Sequence, residues 1–328
     1  MTLANRECEG VARLGSVMEC VVVGAGVSGL TCAIRLLEAG HSVRVIAREF
    51  SPDLVSDRAA AFWYPFLAHP VEKTDRWGAE SYAEFLRILE TEPAAGISIR
   101  RGREYLRERS DLPGWRDEIS YFRLLDSDEI PEPWVFGWEF ESPVVEMPHY
   151  MPWLLARVED LGGEIEQGEV ADLAELKCDL VVNCSGLGAR ELCEDSDLRP
   201  VRGQVIYIEQ DPDFGRYDQH PETLTYTIPR RDVTVLGGTA QVDDWNLEIS
   251  EADRETILEK CEAVWPELDR SRIVGEAVGL RPSRSEVRLE SEILANGTKV
   301  IHNYGHGGAG VTLSWGCADE VVRLAQSS

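Results

Sequence analysis

Three glycines between an apolar run and an amphipathic one constrain this chain more than any other feature. Residues 20–23 read Cys-Val-Val-Val, followed by Gly24-Ala25-Gly26-Val27-Ser28-Gly29 and then Leu-Thr-Cys-Ala-Ile-Arg-Leu-Leu-Glu-Ala-Gly. The apolar run predicts a buried strand. Leu30, Ala33, Ile34 and Leu37 recur at helical spacing, and Gly40 stops the helix. From Ser42 the chain alternates as a second strand, which completes one βαβ unit. In such a unit the first glycine permits a tight turn, the second lets the backbone approach a pyrophosphate, and the third lets helix pack on strand. The phosphate rests on free N–H groups at the helix N-terminus. The unit therefore predicts a dinucleotide site, the alternative being a glycine turn that binds nothing. Glu49, twenty residues past Gly29, is the candidate for the ribose hydroxyls, with Arg48 beside it where an acid is more usual. The motif alone does not separate NAD from FAD.

Charge narrows the partners. The 328 residues carry 33 Lys plus Arg against 59 Asp plus Glu, a net −26. Such a chain is repelled by nucleic-acid phosphate and anionic lipid, and no basic run offsets this. We expect neither nucleic acid nor membrane as partner. The longest uncharged stretch, Cys20 to Ile34, is shorter than the roughly 18 residues a spanning helix needs. Residues 1–17 contain acids and no apolar core, so they are expected to be an N-terminal extension rather than a secretory signal, with Met18 an alternative start. The chain ends Ala-Gln-Ser-Ser, without a Ser-Lys-Leu address. Eight cysteines show neither Cys-x-x-Cys nor zinc spacing, which predicts free thiols in a reducing cytoplasm and no metal.

Further along, an amphipathic helix is expected over 78–93, with Tyr82, Phe85, Leu86 and Leu89 on one face. Another is expected over 152–161, with Pro152 in its first turn. Residues 179–183 read as a buried strand, 202–209 as an alternating one, and 224–228 with 233–236 as a hairpin. Ser250 and Asp253 suggest a capping box for a helix carrying Ile257, Leu258, Cys261 and Val264. A late strand, Lys299 to Asn303, runs into Tyr-Gly-His-Gly-Gly-Ala-Gly and a last helix near 312–325. This second glycine loop would aim another helix N-terminus at a ligand. That suits the negative charge a reduced flavin carries, and a simple NAD enzyme has no need of it. His302 and His306 are read as structural. The fold class is α/β: a Rossmann-like nucleotide-binding domain assembled from 18–66, 151–200 and 275–328, and an α+β substrate domain with a mainly antiparallel sheet from 67–150 and 201–274.

Taken in order, VVVGAGVSGL, VSDRAAAFWYP, VVNCSGLGAR with RPVRGQV, LTYTIP with VLGGT and DW, VGLRPSR, and HNYGHGGAGVTLSWGCA resemble the D-amino-acid oxidase family of FAD flavoenzymes. The likeness spans residues 20 to about 325, and D-aspartate oxidase and glycine oxidase are relatives within it. It implies FAD as cofactor, a D-amino acid and O2 as reactants, and hydride transfer from Cα to the flavin. The products are a 2-oxo acid, ammonia and hydrogen peroxide. The oligomeric state is left open, a homodimer included.

Carried over by residue, the resemblance assigns the substrate carboxylate to Arg281 and the Tyr226 hydroxyl, and the substrate amine to the Gly308 carbonyl. Arg284 and Arg288 are read as solvated or structural. Ala25, Gly26, Val27 and Ser28 fall at the pyrophosphate, Arg48 and Glu49 at the ribose, and Val170 and Ser185 on the adenine side. Ser56, Ala61 and Phe62 fall along the flavin and its phosphates, and Gly307, Gly310, Val311 and Thr312 at the ring. Phe62, Tyr64 and Phe66 match the side-chain pocket and suit apolar substrates. Ala240 stands where D-aspartate oxidases carry arginine, leaving Arg216 as the remaining source of a cation. A lid is implied between Glu209 and Thr223, with Tyr217 a loose stand-in for its tyrosine. Alternatives are a flavin oxidase of D-aspartate or glycine, a NAD dehydrogenase, and a non-catalytic dinucleotide-binding protein.

Overall fold

The computed structural model describes residues 17–64, 68–220 and 222–327. The expected extension therefore lies, but for Val17, outside the described residues. Along the chain come β1 (Glu19–Val23), α1 (Val27–Glu38), β2 (Ser42–Ala47), α2 (Val71–Thr91), β3 (Ile97–Leu106), β4 (Phe122–Leu124) and β5 (Phe136–Val145). Next are α3 (Met147–Asp160), β6 (Glu164–Gln167), β7 (Leu180–Asn183), α4 (Ala189–Leu192), β8 (Arg199–Ile208), β9 (Gly215–Asp218) and β10 (Thr225–Pro229). The chain closes with β11 (Thr234–Gly237), β12 (Gln241–Val242), α5 (Glu251–Val264), β13 (Ile273–Ile293), β14 (Lys299–His306) and α6 (Gly310–Gln326).

All strands join one sheet in the order β4-β5-β3-β9-β10-β11-β8-β13-β14-β7-β1-β2-β6, with β12 on β8. From β14 to β6 every pairing is parallel. β1 and β7 are buried almost throughout, which is why they read as continuous apolar runs. Beyond β14 the pairings are antiparallel except β3 on β9. The 21-residue β13 spans both parts: Ile273 to Ser283 pair with β8, and Arg288 to Ile293 pair with β14. The expected hairpin is present, with Tyr226 opposite Gly237. Among the described residues, no helix is long and apolar enough to cross a membrane.

Four expectations need correction. The helix expected from 78 begins at Val71, because Trp77 and Thr74 extend its buried face one and two turns upstream of Ser81. The helix expected from 152 begins at Met147. Pro148 fills the first-turn position, and Pro152 lies in the interior. The supposed lid contains β9, which pairs with both β3 and β10 and is therefore part of the sheet. Ser250 caps α5 by accepting from the Asp253 N–H, but the Asp253 carboxylate turns to Arg202 and Gln241 instead of closing a box.

The core is densest where α1, α2, α3 and α6 pack behind the parallel strands. A Cβ at Gly316 on α6 would stand 2.2 Å from the Trp77 carbonyl oxygen on α2. We expect Gly316→Ala to force these helices apart and lose about 1–3 kcal/mol of stability. A lower urea midpoint at unchanged slope is the measurement, and an unchanged midpoint contradicts the packing described.

Candidate active site

One cavity of about 1480 Å3 runs from the glycine turn after β1 to the junction of β8, β10 and β13. At its first end the glycines act as the sequence implies. Gly24 has φ +106°, and its Cβ would lie 2.4 Å from the Cys184 carbonyl oxygen. A Cβ on Gly29 would lie 1.9 Å from the Gly24 oxygen, so Gly29 serves packing and does not line the cavity. Helix α1 starts with Gly26 as its N-cap, with no side-chain cap and no acid in the first turn. Its positive dipole end is thus left for a ligand. Ser56 Oγ accepts the Val27 N–H at 3.1 Å, which brings residues 54–61 against the turn. Ala25, Val27, Ser28, Val170 and Ser185 line the same end. Arg48 and Glu49 also line it but are exposed, and Arg48 faces Glu169 at 3.7 Å.

Helix α6 aims a second uncapped N-terminus at the same cavity, again without an acid in its first turn. Gly307, Gly308, Gly310, Val311 and Thr312 line the wall there. The Thr312 hydroxyl accepts the Tyr64 N–H at 3.2 Å and donates to the Tyr64 carbonyl at 3.0 Å. His306 is buried, burial pulls it down to about 4, and Nε2 pairs with Asn303 Oδ1. It is a neutral structural group, as is His302, buried beside Asn183.

The other end is built around Arg281. Its guanidinium lies over Gly203, where a Cβ would come within 2.4 Å, and Nη1 donates to the Thr239 carbonyl at 2.9 Å. Among the described residues no carboxylate pairs with it. Arg284 and Arg288, by contrast, pair with Asp195 and Glu290. Tyr226 is buried nearby: burial pushes its phenol up, and the Arg281 charge draws it partly back. Both residues line the cavity.

Phe62 and Tyr64 line the wall beside them, and Phe66 lies outside the described residues. Phe62 stacks on Tyr217 at 4.5 Å, which holds Tyr217 behind the wall, so it cannot stand in for a lid tyrosine. Because side chains alternate along β9, Arg216 faces the other way. It packs on Phe214 at 4.1 Å and on Trp265 at 5.9 Å. The cation considered for a side-chain carboxylate is thus turned out of the cavity.

Sequence reasoning missed three features. Arg230 is buried and its Nη2 donates to the carbonyls of Ala59 and Ala60. Ala61, next in line, has φ +56° and is held by the Val145 N–H on its carbonyl at 2.8 Å. Arg230 therefore clamps a strained turn in the cavity wall. Val242, Trp245, Leu247 and Ile249 form an exposed apolar rim at the mouth. Finally, the Tyr64 hydroxyl donates to Glu104 Oε2 at 2.7 Å, and Trp138 Nε1 donates to the same oxygen at 3.1 Å. Burial pushes Glu104 up to about 7 despite those two bonds. The adjacent Arg230 and Arg231 after Pro229 and the apolar spacing of Trp245, Leu247 and Ile249 were visible signals, but Glu104 had none.

The family described as FAD dependent oxidoreductase, DAO, matches residues 19–324. D-amino-acid oxidase of Rubrobacter xylanophilus is 45% identical over 315 residues, covering 94% of this chain and 96% of that protein. D-aspartate oxidase of Homo sapiens is 37% identical over 318 residues, covering 92% and 93%. Among solved structures, glycine oxidase from Geobacillus kaustophilus superposes with a TM-score of 0.78 over 94% of each chain at 16% identity, a likeness of fold alone.

Glu104 binds its proton more tightly in the folded chain than in the unfolded one, so the stability that proton confers is complete below pH 4.5 and lost as the pH rises through about 7. Glu104→Gln has no such proton to lose. We expect it to gain on the parent chain across that window and keep a constant margin above it. Urea midpoints at a series of pH values measure this, and a margin that stays flat throughout contradicts the burial described.

Proposed function

The chain belongs to the DAO family of FAD-dependent oxidoreductases, and we propose that it oxidatively deaminates D-amino acids with neutral, apolar side chains. The observation that carries this reading is the acid-free Arg281 guanidinium beside Tyr226, in one cavity with two helix N-termini that carry no acid in their first turns. A guanidinium holds a carboxylate through two parallel bonds, which fixes both distance and plane. Tyr226 adds a hydroxyl to that carboxylate, and the Gly308 carbonyl accepts from the amine. The apolar wall of Phe62 and Tyr64 keeps water from the reacting carbon.

The residues present fit FAD. The turn Gly24–Gly29 and the start of α1 would hold the pyrophosphate, with Ser56 bracing the turn. Arg48 and Glu49 would flank the ribose, Val170 and Ser185 the adenine side, and Ala61, Phe62, Gly307, Gly310, Val311 and Thr312 the flavin. Bound there, FAD supplies the acceptor for the hydride leaving Cα and passes the electrons to O2. Overall, one D-amino acid, O2 and water give one 2-oxo acid, ammonium and hydrogen peroxide.

Ala240 at the place of an arginine and the outward-turned Arg216 favour neutral substrates over D-aspartate. We also read the chain as cytoplasmic, in keeping with its unpaired buried thiols. Residues 18–66, 151–200 and 275–328 would form the FAD-binding domain and 67–150 with 201–274 the substrate domain, a division the change from parallel to antiparallel pairing supports.

We expect anaerobic D-alanine to bleach the flavin absorbance of the purified protein. Arg281→Leu should retain FAD and lose at least ~100-fold in kcat/KM, because a charged bidentate contact is removed. Near-normal turnover in that variant would defeat the assignment.

A further inference from the structure

Tyr64 is pinned at both ends. Its backbone exchanges two hydrogen bonds with the Thr312 hydroxyl in the first turn of α6. Its phenol reaches away from the cavity to Glu104 on β3. Glu104 is 5% exposed, and among the described residues it has no cationic partner. Trp138 on β5 stands opposite it in the sheet and Tyr217 on β9 on its other side. Trp115 meets the Tyr64 ring edge-on at 5.2 Å.

A carboxylate without a counter-charge in an aromatic cluster is unfavourable for stability. A phenylalanine at 64 with an apolar residue at 104 would fill the same space without burying a charge. What the acid adds is direction. It draws the phenol behind the wall, so the cavity meets only the ring and backbone of Tyr64. We propose that Glu104 is a positioning residue that sets the shape of the substrate side-chain pocket by holding the Tyr64 phenol out of the cavity. Selectivity among neutral D-amino acids is then governed from behind the wall, by a group that does not touch the substrate. This rests on the function proposed above.

The test is the ratio of kcat/KM for D-methionine to that for D-alanine, with bound FAD per chain measured alongside. Glu104→Leu leaves the phenol without an acceptor and lets it turn into the pocket. The ratio should fall about tenfold, the scale on which pockets discriminate apolar side chains. Glu104→Gln keeps an acceptor oxygen for Tyr64 and Trp138, so its ratio should stay within about twofold of the parent. Combining Tyr64→Phe with Glu104→Leu removes the stranded hydroxyl and should restore the ratio, a non-additivity expected only of residues acting through each other.

A Glu104→Leu enzyme that loses the same factor on both substrates overturns the proposal, as does additivity in the double variant. If Glu104→Leu yields no folded protein, Glu104→Gln and Tyr64→Leu decide. The proposal then requires the first to keep the ratio and the second to move it about tenfold, and any other pairing overturns it. A parent enzyme that forms peroxide from no D-amino acid sinks the functional reading and this proposal together. An active parent with an unmoved ratio sinks the proposal alone.

Discussion

Arg281 is held entirely by neutral groups. The Thr239 carbonyl accepts a hydrogen bond from Nη1, the bare Cα of Gly203 lets the guanidinium lie flat on β8, and the Tyr226 phenol stands beside it. Many other arginines of the chain meet acids, as at Arg103 with Glu139 and Arg202 with Asp253. A guanidinium deprived of such a partner retains its full appetite for an anion. The surrounding order of β10, β8 and β13 keeps that charge at the cavity, with no carboxylate paired to it among the described residues. In a molecule of net charge −26 this is a local inversion, and it suits the carboxylate that the proposed function places there.

The cofactor end follows the same economy with backbone dipoles. Two helices begin at the cavity, neither has an acid in its first turn, and neither is capped by its own N-cap side chain. Between them the turn at Ala61 is kept in a left-handed conformation by Arg230 and Val145. Strain of this kind persists only where several contacts over-determine it.

The parts legible in the sequence are those whose local pattern matches their final burial. β1, β7 and the glycine turn qualify, since strands buried on both faces read as unbroken apolar runs. The hairpin around Pro229 and the Ser250 cap are likewise local. What escaped notice is long-range. β3 carries Arg100, Arg101, Arg103 and Glu104 and looks solvent-facing, yet it is an interior strand whose charges meet Glu139 and Glu141 across the sheet. The same screening hid Glu104, one acid among 59, which is buried among aromatic residues from three other segments, Tyr64, Trp138 and Tyr217. The lid over 209–223 was implied by the family resemblance alone, whereas β9 within it is paired on both edges. The start of α2 was missed because Glu72, Lys73, Asp75 and Arg76 surround the two residues that mark its buried face.

β13 adds a constraint of a different kind. One continuous strand supplies the antiparallel layer with Arg281 and then enters the parallel layer beside β14. The two halves of the molecule are thus woven on a shared thread, not joined by a linker. Neither can be transplanted into another scaffold, nor recombined with a homologous half, without cutting that thread a few residues from the guanidinium.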